Sequence, residues 1–186
     1  GRACIFHSCQ NEEQHEMIGK FLESTAMAFY MNESIETLKE ICEHFQINVT
    51  WQPMFIYEGY IYARFHRMFE NAKPLLMNED TWKKVLEPLD CPNAVFVVHP
   101  TKNKKLKNKI ASYCTYAQVI ELEETVEWIE SKMIIYPLFI LNGKHVKVDV
   151  GKIIQEGGRQ GIKIEMPFDC LLECAGFQKI YVLTVL

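Results

Sequence analysis

The stretch that decides the fold is 93-NAVFVVHPTKNKKLKNKIASYCTYAQVIELEETVEWIESK-132. Its first apolar run, residues 94–99, lies between two prolines and is typical of a strand buried on both faces. Apolar residues then recur at helical spacing from Leu106 to Tyr113, residues 118–122 predict a second strand, and residues 123–132 predict a second helix. Strands that alternate with helices in this way pair in parallel through helical crossovers.

The residues before this stretch extend the alternation. Strands are predicted over residues 3–7 and 47–51, and helices over residues 12–30, 34–46 and 81–87. Residues 54–69 are unusually aromatic and fit neither pattern clearly. The predicted fold class is therefore α/β, with three layers and a mostly parallel central sheet between flanking helices.

The pattern changes after Pro137. Asn142 and Gly143 lie between the apolar runs 138–141 and 145–150, which is the usual signal of a β-hairpin. Further strands are predicted over residues 162–166 and 180–186, with a short helix over 170–175 between them. We therefore expect a β-rich C-terminal hairpin region. Residues 1–186 are expected to form a single α/β domain, with a sub-boundary near residues 133–137 as the alternative.

Composition excludes several classes of protein. The 186 residues are 48% hydrophobic and 24% charged, which is ordinary for a globular domain. The longest apolar runs, such as residues 133–141, fall short of the ~20 residues that span a bilayer, so we expect no membrane partner. A net charge of −4 argues against a dedicated non-specific nucleic-acid binder. Seven scattered cysteines favour reduced thiols in the cytoplasm or the nucleus.

Five lysines are packed into the eight residues 102–109, namely Lys102, Lys104, Lys105, Lys107 and Lys109. They follow the carboxyl end of a predicted buried strand and enter a helix, where α/β folds expose backbone N–H groups to anions. Phosphate is the ligand that this position favours, and the hydroxyl of Thr101 would contact it. The alternatives are a solvated surface loop for the lysines and a helix cap for Thr101.

The aromatic segment, residues 55–69, also contains Arg64, His66 and Arg67. This mixture is used to stack bases and hold phosphates. It is equally typical of an amphipathic segment with one basic face, and no RNA-binding signature accompanies it. The preferred interpretation is a core or partner interface.

Metal and nucleophile motifs are weak. Cys4, His7 and Cys9, together with Cys42 and His44, are zinc ligand types, but their spacing matches no familiar zinc module. A thiol–imidazole pair of Cys9 with a nearby histidine rests on nearness in sequence alone. From motifs we therefore predict no metal site, no cofactor and no catalytic residue.

Residues 94–128, with their strand, lysine-bearing helix, second strand and Trp128-containing helix, resemble the second half of a BRCT repeat. They are also similar to the last two β–α units of the XPF-type nuclease-like domain. The sequence departs from both families, because no Gly-Gly pair follows the helix over residues 35–46 as in many BRCT repeats, and the ERKxxxD motif of active XPF-type nucleases is missing. The resemblance implies a nuclear interaction domain of the genome-maintenance type.

Three functions are weighed. The first is a non-enzymatic interaction domain of a larger intracellular protein, nuclear or cytoplasmic, that binds a protein partner or a phosphate-bearing or nucleic-acid ligand near residues 102–109. The alternative is a small enzyme acting on a phosphorylated or nucleic-acid substrate, with Glu121, His99 or Cys114 as acid–base candidates. The third is a structural module that buries its aromatic segment against another chain. The absence of catalytic motifs favours the first, a scaffold for protein–protein interaction.

Overall fold

The structure, a computed structural model, describes residues 1–32 and 34–186. It contains two parallel β-sheets with flanking helices. The chain divides into two compact units, each with its own sheet. Unit 1 comprises Gly1–Met77 and Lys179–Leu186, and unit 2 comprises Asn78–Gln178.

The sheet of unit 1 has three strands. Strand β1 (Arg2–Phe6) lies between β2 (Met27–Tyr30) and β3 (Thr50–Pro53) and pairs in parallel with both. Helices α1 (Glu12–Leu22) and α2 (Ile35–His44) connect the strands, and α3 (Tyr60–Met68) follows β3.

The core of unit 1 is built on β1, because its residues 3–6 are all buried. Ala3 and Ile5 pack with Phe65 and Phe69 from the aromatic segment. The ring centroids of these two phenylalanines are 4.9 Å apart in a stacked arrangement. For Phe65 and Phe69 the preferred interpretation as core is confirmed, and the segment's buried rings belong to the chain's own interior.

The sheet of unit 2 has four parallel strands. Strand β4 (Ala94–Val98) lies between β5 (Gln118–Glu121) and β6 (Lys132–Pro137), and β7 (Lys163–Glu165) pairs with β6. Its helices are α4 (Glu79–Leu86), α5 (Lys105–Ser112) and α6 (Lys144–Arg159), and the chain returns to unit 1 within α7 (Ala175–Val185).

The α/β class and the mostly parallel pairing are confirmed. All five residues of β4 are buried, as predicted for a strand covered on both faces. Strand β6 occupies the predicted sub-boundary as part of the sheet of unit 2. The single domain over residues 1–186 stays a prediction. Among the described residues, no helix is long and apolar enough to cross a membrane.

The predicted β-hairpin around Asn142 and Gly143 is wrong. Gly143 is the N-cap of α6, and the second predicted strand forms the first turns of this helix. Over the six residues 145–150, three valines alternate as in a strand, although the first and the last of them are also four positions apart, as on one face of a helix. The helix is preferred because it continues to Arg159 and so also buries Ile153 and Gly157.

One predicted helix is shorter than expected and another is absent. The helix predicted over residues 12–30 ends at Leu22, because Glu23 and Ser24 adopt left-handed backbone conformations with φ of 46° and 65°. The helix predicted over residues 123–132 is absent from the described structure. There Gln118 uses its side-chain amide to bind both backbone groups of Glu127, at 2.6 Å and 3.0 Å, in place of helical hydrogen bonds.

The strand predicted over residues 180–186 is the second half of helix α7. Phe177, Ile180 and Tyr181 are its buried residues at helical spacing. The segment is apolar on nearly all sides, and such a run gives no periodicity by which helix and strand can be distinguished.

Gly157 is a sharp test of the packing in unit 2. A Cβ at this position would lie under 3.0 Å from Ile164 and from the ring of Trp128, whereas a Cβ at Gly158 would meet nothing within 4 Å. We expect Gly157→Ala to lower the free energy of unfolding by about 1–3 kcal/mol through overpacking. The matched control Gly158→Ala should raise it by up to about 1 kcal/mol through helix propensity. Urea denaturation measures both, and equal stability of the two variants would contradict this packing.

Candidate functional site

Each sheet places a histidine at the carboxyl end of its first strand. His7 follows the last residue of β1, and His99 follows the last residue of β4. Both residues are exposed. The carboxyl ends of parallel strands are where open α/β sheets bind ligands. The two histidines therefore occupy equivalent positions, each in its own unit.

The loop that carries His7 is anchored by the start of α1. Asn11 is the N-cap of this helix, and its side chain accepts a hydrogen bond of 2.9 Å from the amide of Gln14. The side chain of Gln14 is buried and accepts a hydrogen bond of 2.8 Å from the amide of Gln10. These bonds order the short connection between His7 and α1.

His99 is oriented by its own neighbours. Its Nδ1 lies 2.7 Å from the carbonyl oxygen of Pro100, and its ring meets Phe139 edge-on, with centroids 6.4 Å apart. A hydrogen bond from Nδ1–H to this carbonyl selects the tautomer in which Nε2 carries the lone pair. This is the form in which an imidazole binds a metal ion or accepts a proton.

The lysine-rich loop begins three residues after His99. Thr101 fixes it at both ends: its amide donates to Oε2 of Glu121 at 3.0 Å, and its hydroxyl accepts from the amide of Leu106 at 3.0 Å. The second bond is a capping interaction in the first turn of α5, in line with the cap alternative for Thr101. Between these anchors, Asn103 and Lys104 adopt left-handed conformations with φ of 57° and 53°.

Two of the five lysines pair with one carboxylate. Glu124 accepts from Nζ of Lys104 at 3.3 Å and from Nζ of Lys107 at 3.0 Å, and also from the amide of Glu121 at 2.7 Å. Burial alone would raise the pKa of Glu124, but the hydrogen bonds from Glu121, Lys107 and Lys104 outweigh it and lower the pKa to about 2. Glu124 is therefore ionised at neutral pH and holds the loop against β5.

The other three lysines are exposed. In the part of the chain that the structure describes, no carboxylate lies within ion-pairing distance of Lys102, Lys105 or Lys109. These three ammonium groups therefore form a locally uncompensated positive surface. The role of residues 101–109 as an anion site stays a prediction.

Of the acid–base candidates, the structure brings two to the same edge and separates the third. His99 and the buried Glu121 lie at the carboxyl ends of β4 and β5. Cys114 precedes β5 and lies at the opposite edge, where the following backbone amides bind Asp90. Burial, with the charge of Asp90, raises the pKa of Cys114 to about 12, so its thiol is protonated at neutral pH.

The residues considered as zinc ligands are dispersed. Cys4 is buried in the core of unit 1 with its Sγ 3.9 Å from the hydroxyl of Tyr181, and burial raises its pKa to about 11. Cys42 and His44 lie on α2, where the ring of His44 packs edge-on against Phe45. Among the described residues there is no group of three or more His, Cys, Asp or Glu side chains that could hold a metal ion.

Comparison with known proteins identifies the fold. No protein-family model and no curated protein matches the chain. The sirohydrochlorin chelatase SirB from Bacillus subtilis subspecies spizizenii, solved in complex with cobalt, matches with a TM-score of 0.61 and 12% identity over 99% of this chain and 93% of that chain. SirB from Bacillus subtilis with Fe3+ matches with 0.61 and 11% over 99% and 94%. CbiX, the terminal enzyme for biosynthesis of siroheme in denitrifying bacteria, matches with 0.60 and 13% over 98% and 97%.

This finding corrects the first functional hypothesis. The neighbours described above are the sirohydrochlorin chelatase SirB and CbiX, a terminal enzyme of siroheme biosynthesis, and these are enzymes and not non-enzymatic interaction domains. A protein–protein interaction scaffold and a nuclear role in genome maintenance are therefore wrong as predictions, and a small enzyme, the alternative, is better supported. The predicted protein partner and nucleic-acid ligand stay predictions.

Sequence reasoning considered His7 and His99 separately and missed their equivalence. The signal is short but present: ACIFH at residues 3–7 and VFVVH at residues 95–99 both end a buried apolar run on a histidine. Neither run carries a motif that a pattern search would find. The equivalence appears only when both runs are placed as the first strand of a parallel sheet.

The ion pairs of Glu124 give unit 2 a defined response to acid. Because the folded-state pKa of Glu124 is lowered to about 2, its ion pairs stabilise the folded state fully above pH about 4.5 and are lost as the pH falls through about 2. We expect Glu124→Gln to lower the free energy of unfolding by about 1–2 kcal/mol at pH 7. The difference from the unsubstituted protein should shrink between pH 4.5 and 2 when measured by chemical denaturation.

The exposed Glu130 provides the control for this measurement. Glu130→Gln removes the same charge without removing an ion pair to any residue that the structure describes, so its unfolding free energy should follow that of the unsubstituted protein at every pH. A loss in Glu124→Gln that is independent of pH would show that the ion pairs are not its cause.

Proposed function

We propose that the protein is a chelatase that inserts a transition-metal ion into a tetrapyrrole. The observation that carries the proposal is the exposed histidine at the carboxyl end of the first strand of each sheet. The fold gives this observation its meaning, because the chain is similar over nearly its whole length to sirohydrochlorin chelatases. One of these was solved with cobalt and another with Fe3+, and histidine is a common ligand for both metals.

The reaction sets two tasks for the protein. A divalent ion enters the macrocycle as two pyrrole N–H protons leave, so the protein must deliver the ion and accept protons. Neutral imidazole is a common ligand for cobalt and iron, and it can also accept a proton. His7 and His99 are suited to these tasks, and both the ion and the tetrapyrrole are substrates that must leave as product.

Further features are compatible with this activity. The seven cysteines are all free thiols, three of them buried. Reduced thiols together with chelatase activity favour the cytoplasm over the nucleus as the location of the protein. Glu121 lies at the same edge as His99, and its carboxylate accepts a hydrogen bond from the amide of Thr101. Glu121 therefore positions the loop after β4.

The proposal is tested by following the absorption spectrum of sirohydrochlorin with Co2+ in the absence of oxygen. We expect the protein to accelerate metal insertion above the uncatalysed rate. His7→Ala and His99→Ala should each lower kcat by about 100-fold, because a positioned acid–base group contributes 10²–10⁴ to a rate. His44→Ala, which removes an exposed histidine at the end of α2, should leave kcat unchanged.

Circular dichroism and thermal unfolding of each variant show whether the fold is retained. Absence of acceleration with Co2+, Fe2+ and Ni2+ would argue against a chelatase. Full activity in both His7→Ala and His99→Ala would remove the histidines from the mechanism while leaving the activity itself in place.

A further inference from the structure

We propose that Lys102, Lys105 and Lys109, hereafter the lysine surface, dock the peripheral carboxylates of the tetrapyrrole substrate. The inference rests on the proposed function and extends it, because it names the part of the substrate that unit 2 recognises.

The charge of the surface is unusual for this chain. The protein as a whole carries a net charge of −4, so its overall charge does not attract a ligand rich in carboxylates. On the lysine surface, three exposed ammonium groups have no carboxylate partner among the described residues. An acidic ligand would be attracted to this place on unit 2.

The remaining two lysines have a different task. Lys104 and Lys107 are bound to Glu124, whose carboxylate is also held by the amide of Glu121. These bonds keep the loop in one conformation, in which Asn103 and Lys104 make a left-handed turn. The lysine surface is thus carried by an ordered loop, which lowers the entropy lost when a ligand binds.

The position of the surface connects it to the candidate site. Lys102 is three residues from His99, and the loop starts at the carboxyl edge of β4. Thr101 anchors the loop to this edge through Glu121. A substrate whose reacting nitrogens approach His99 would therefore place its peripheral groups near lysine side chains, which are long and flexible.

The chemistry of the loop favours carboxylates over the phosphates of a nucleic acid. Residues 101–109 contain no aromatic residue and no arginine, whereas single-stranded nucleic-acid sites combine positive charge with aromatic side chains for stacking. The amide of Leu106 at the start of α5 is already bound by Thr101, so it is not open to a phosphate. Lysine acts as a mobile point charge and suits several carboxylates on flexible arms.

The experiment measures binding without metal, so that no insertion can occur. Mesoporphyrin, coproporphyrin and uroporphyrin carry increasing numbers of carboxylates on a similar macrocycle. Their dissociation constants would be measured by fluorescence titration at low and at moderate salt. We expect the affinity of the unsubstituted protein to rise along this series and to fall with salt.

Three variants locate the interaction. Lys102→Glu/Lys105→Glu/Lys109→Glu should bind uroporphyrin at least about tenfold more weakly at low salt, because each exposed pair contributes roughly twofold to fivefold, while mesoporphyrin binding should change little. The control Lys84→Glu/Lys163→Glu/Lys179→Glu makes the same change in net charge at exposed lysines elsewhere and should bind nearly as the unsubstituted protein does. Lys102→Arg/Lys105→Arg/Lys109→Arg keeps the charge and should retain binding.

Several results would overturn the inference. These are equal uroporphyrin binding by the charge-reversed variant and the unsubstituted protein, an equal loss in the control variant, or no porphyrin binding at all. If single-stranded DNA binds more tightly than uroporphyrin, and the charge-reversed variant loses this binding, the lysine surface is a nucleic-acid site.

The two proposals fail separately. If the protein inserts metal but its affinity for porphyrins does not depend on their number of carboxylates, the proposed role of the lysine surface is wrong and the chelatase activity stands. If porphyrin binding depends on the carboxylates but no metal is inserted, the chelatase activity is wrong and the lysine surface stands as a carboxylate site.

Discussion

Parallel pairing of one fully covered strand with a neighbour on each side is the constraint from which both units are built. In unit 1 this strand is β1 and in unit 2 it is β4, and their residues 3–6 and 94–98 are buried. Parallel neighbours need long crossover connections, so the carboxyl ends of the strands meet at one edge of each sheet. The histidine that follows each buried run is placed at this edge by the topology alone.

The parts of the fold that could be predicted are those whose pattern has one solution. The run over residues 94–98 is apolar throughout, rich in β-branched valine and bounded by Pro92 and Pro100, which together favour a covered strand and with it the α/β class. The run over residues 145–150 has two solutions, and the choice between them depends on Ile153 and Gly157, which lie beyond the window. The helix predicted over residues 123–132 was wrong because the side chain of Gln118, nine residues before Glu127, binds both backbone groups of Glu127. The candidate site was visible only as separate residues, since the equivalence of His7 and His99 depends on which strand each one follows.

One acidic residue explains why the lysines of residues 102–109 do not act alike. Glu124 binds Lys104 and Lys107 and is 29% exposed, so its ion pairs are partly shielded from water. The hydrogen bonds that lower the pKa of Glu124 also order the turn next to Lys102 and Lys105. Sequence alone shows five equivalent positive charges, whereas the fold separates them into two that hold the loop and three that face outward.

The path of helix α7 bears on the order in which the chain folds during synthesis. Unit 2 is one continuous segment, whereas unit 1 needs residues 179–186 to complete it. In that closing segment Tyr181 contacts Phe21, with ring centroids 4.7 Å apart, and its hydroxyl lies 3.0 Å from Oγ1 of Thr25. These contacts join residues more than 150 positions apart, and such long loops close slowly. On the ribosome, synthesis of unit 1 begins first, but unit 2 is the first to have all of its residues. Unit 1 is completed only when α7 has been synthesised.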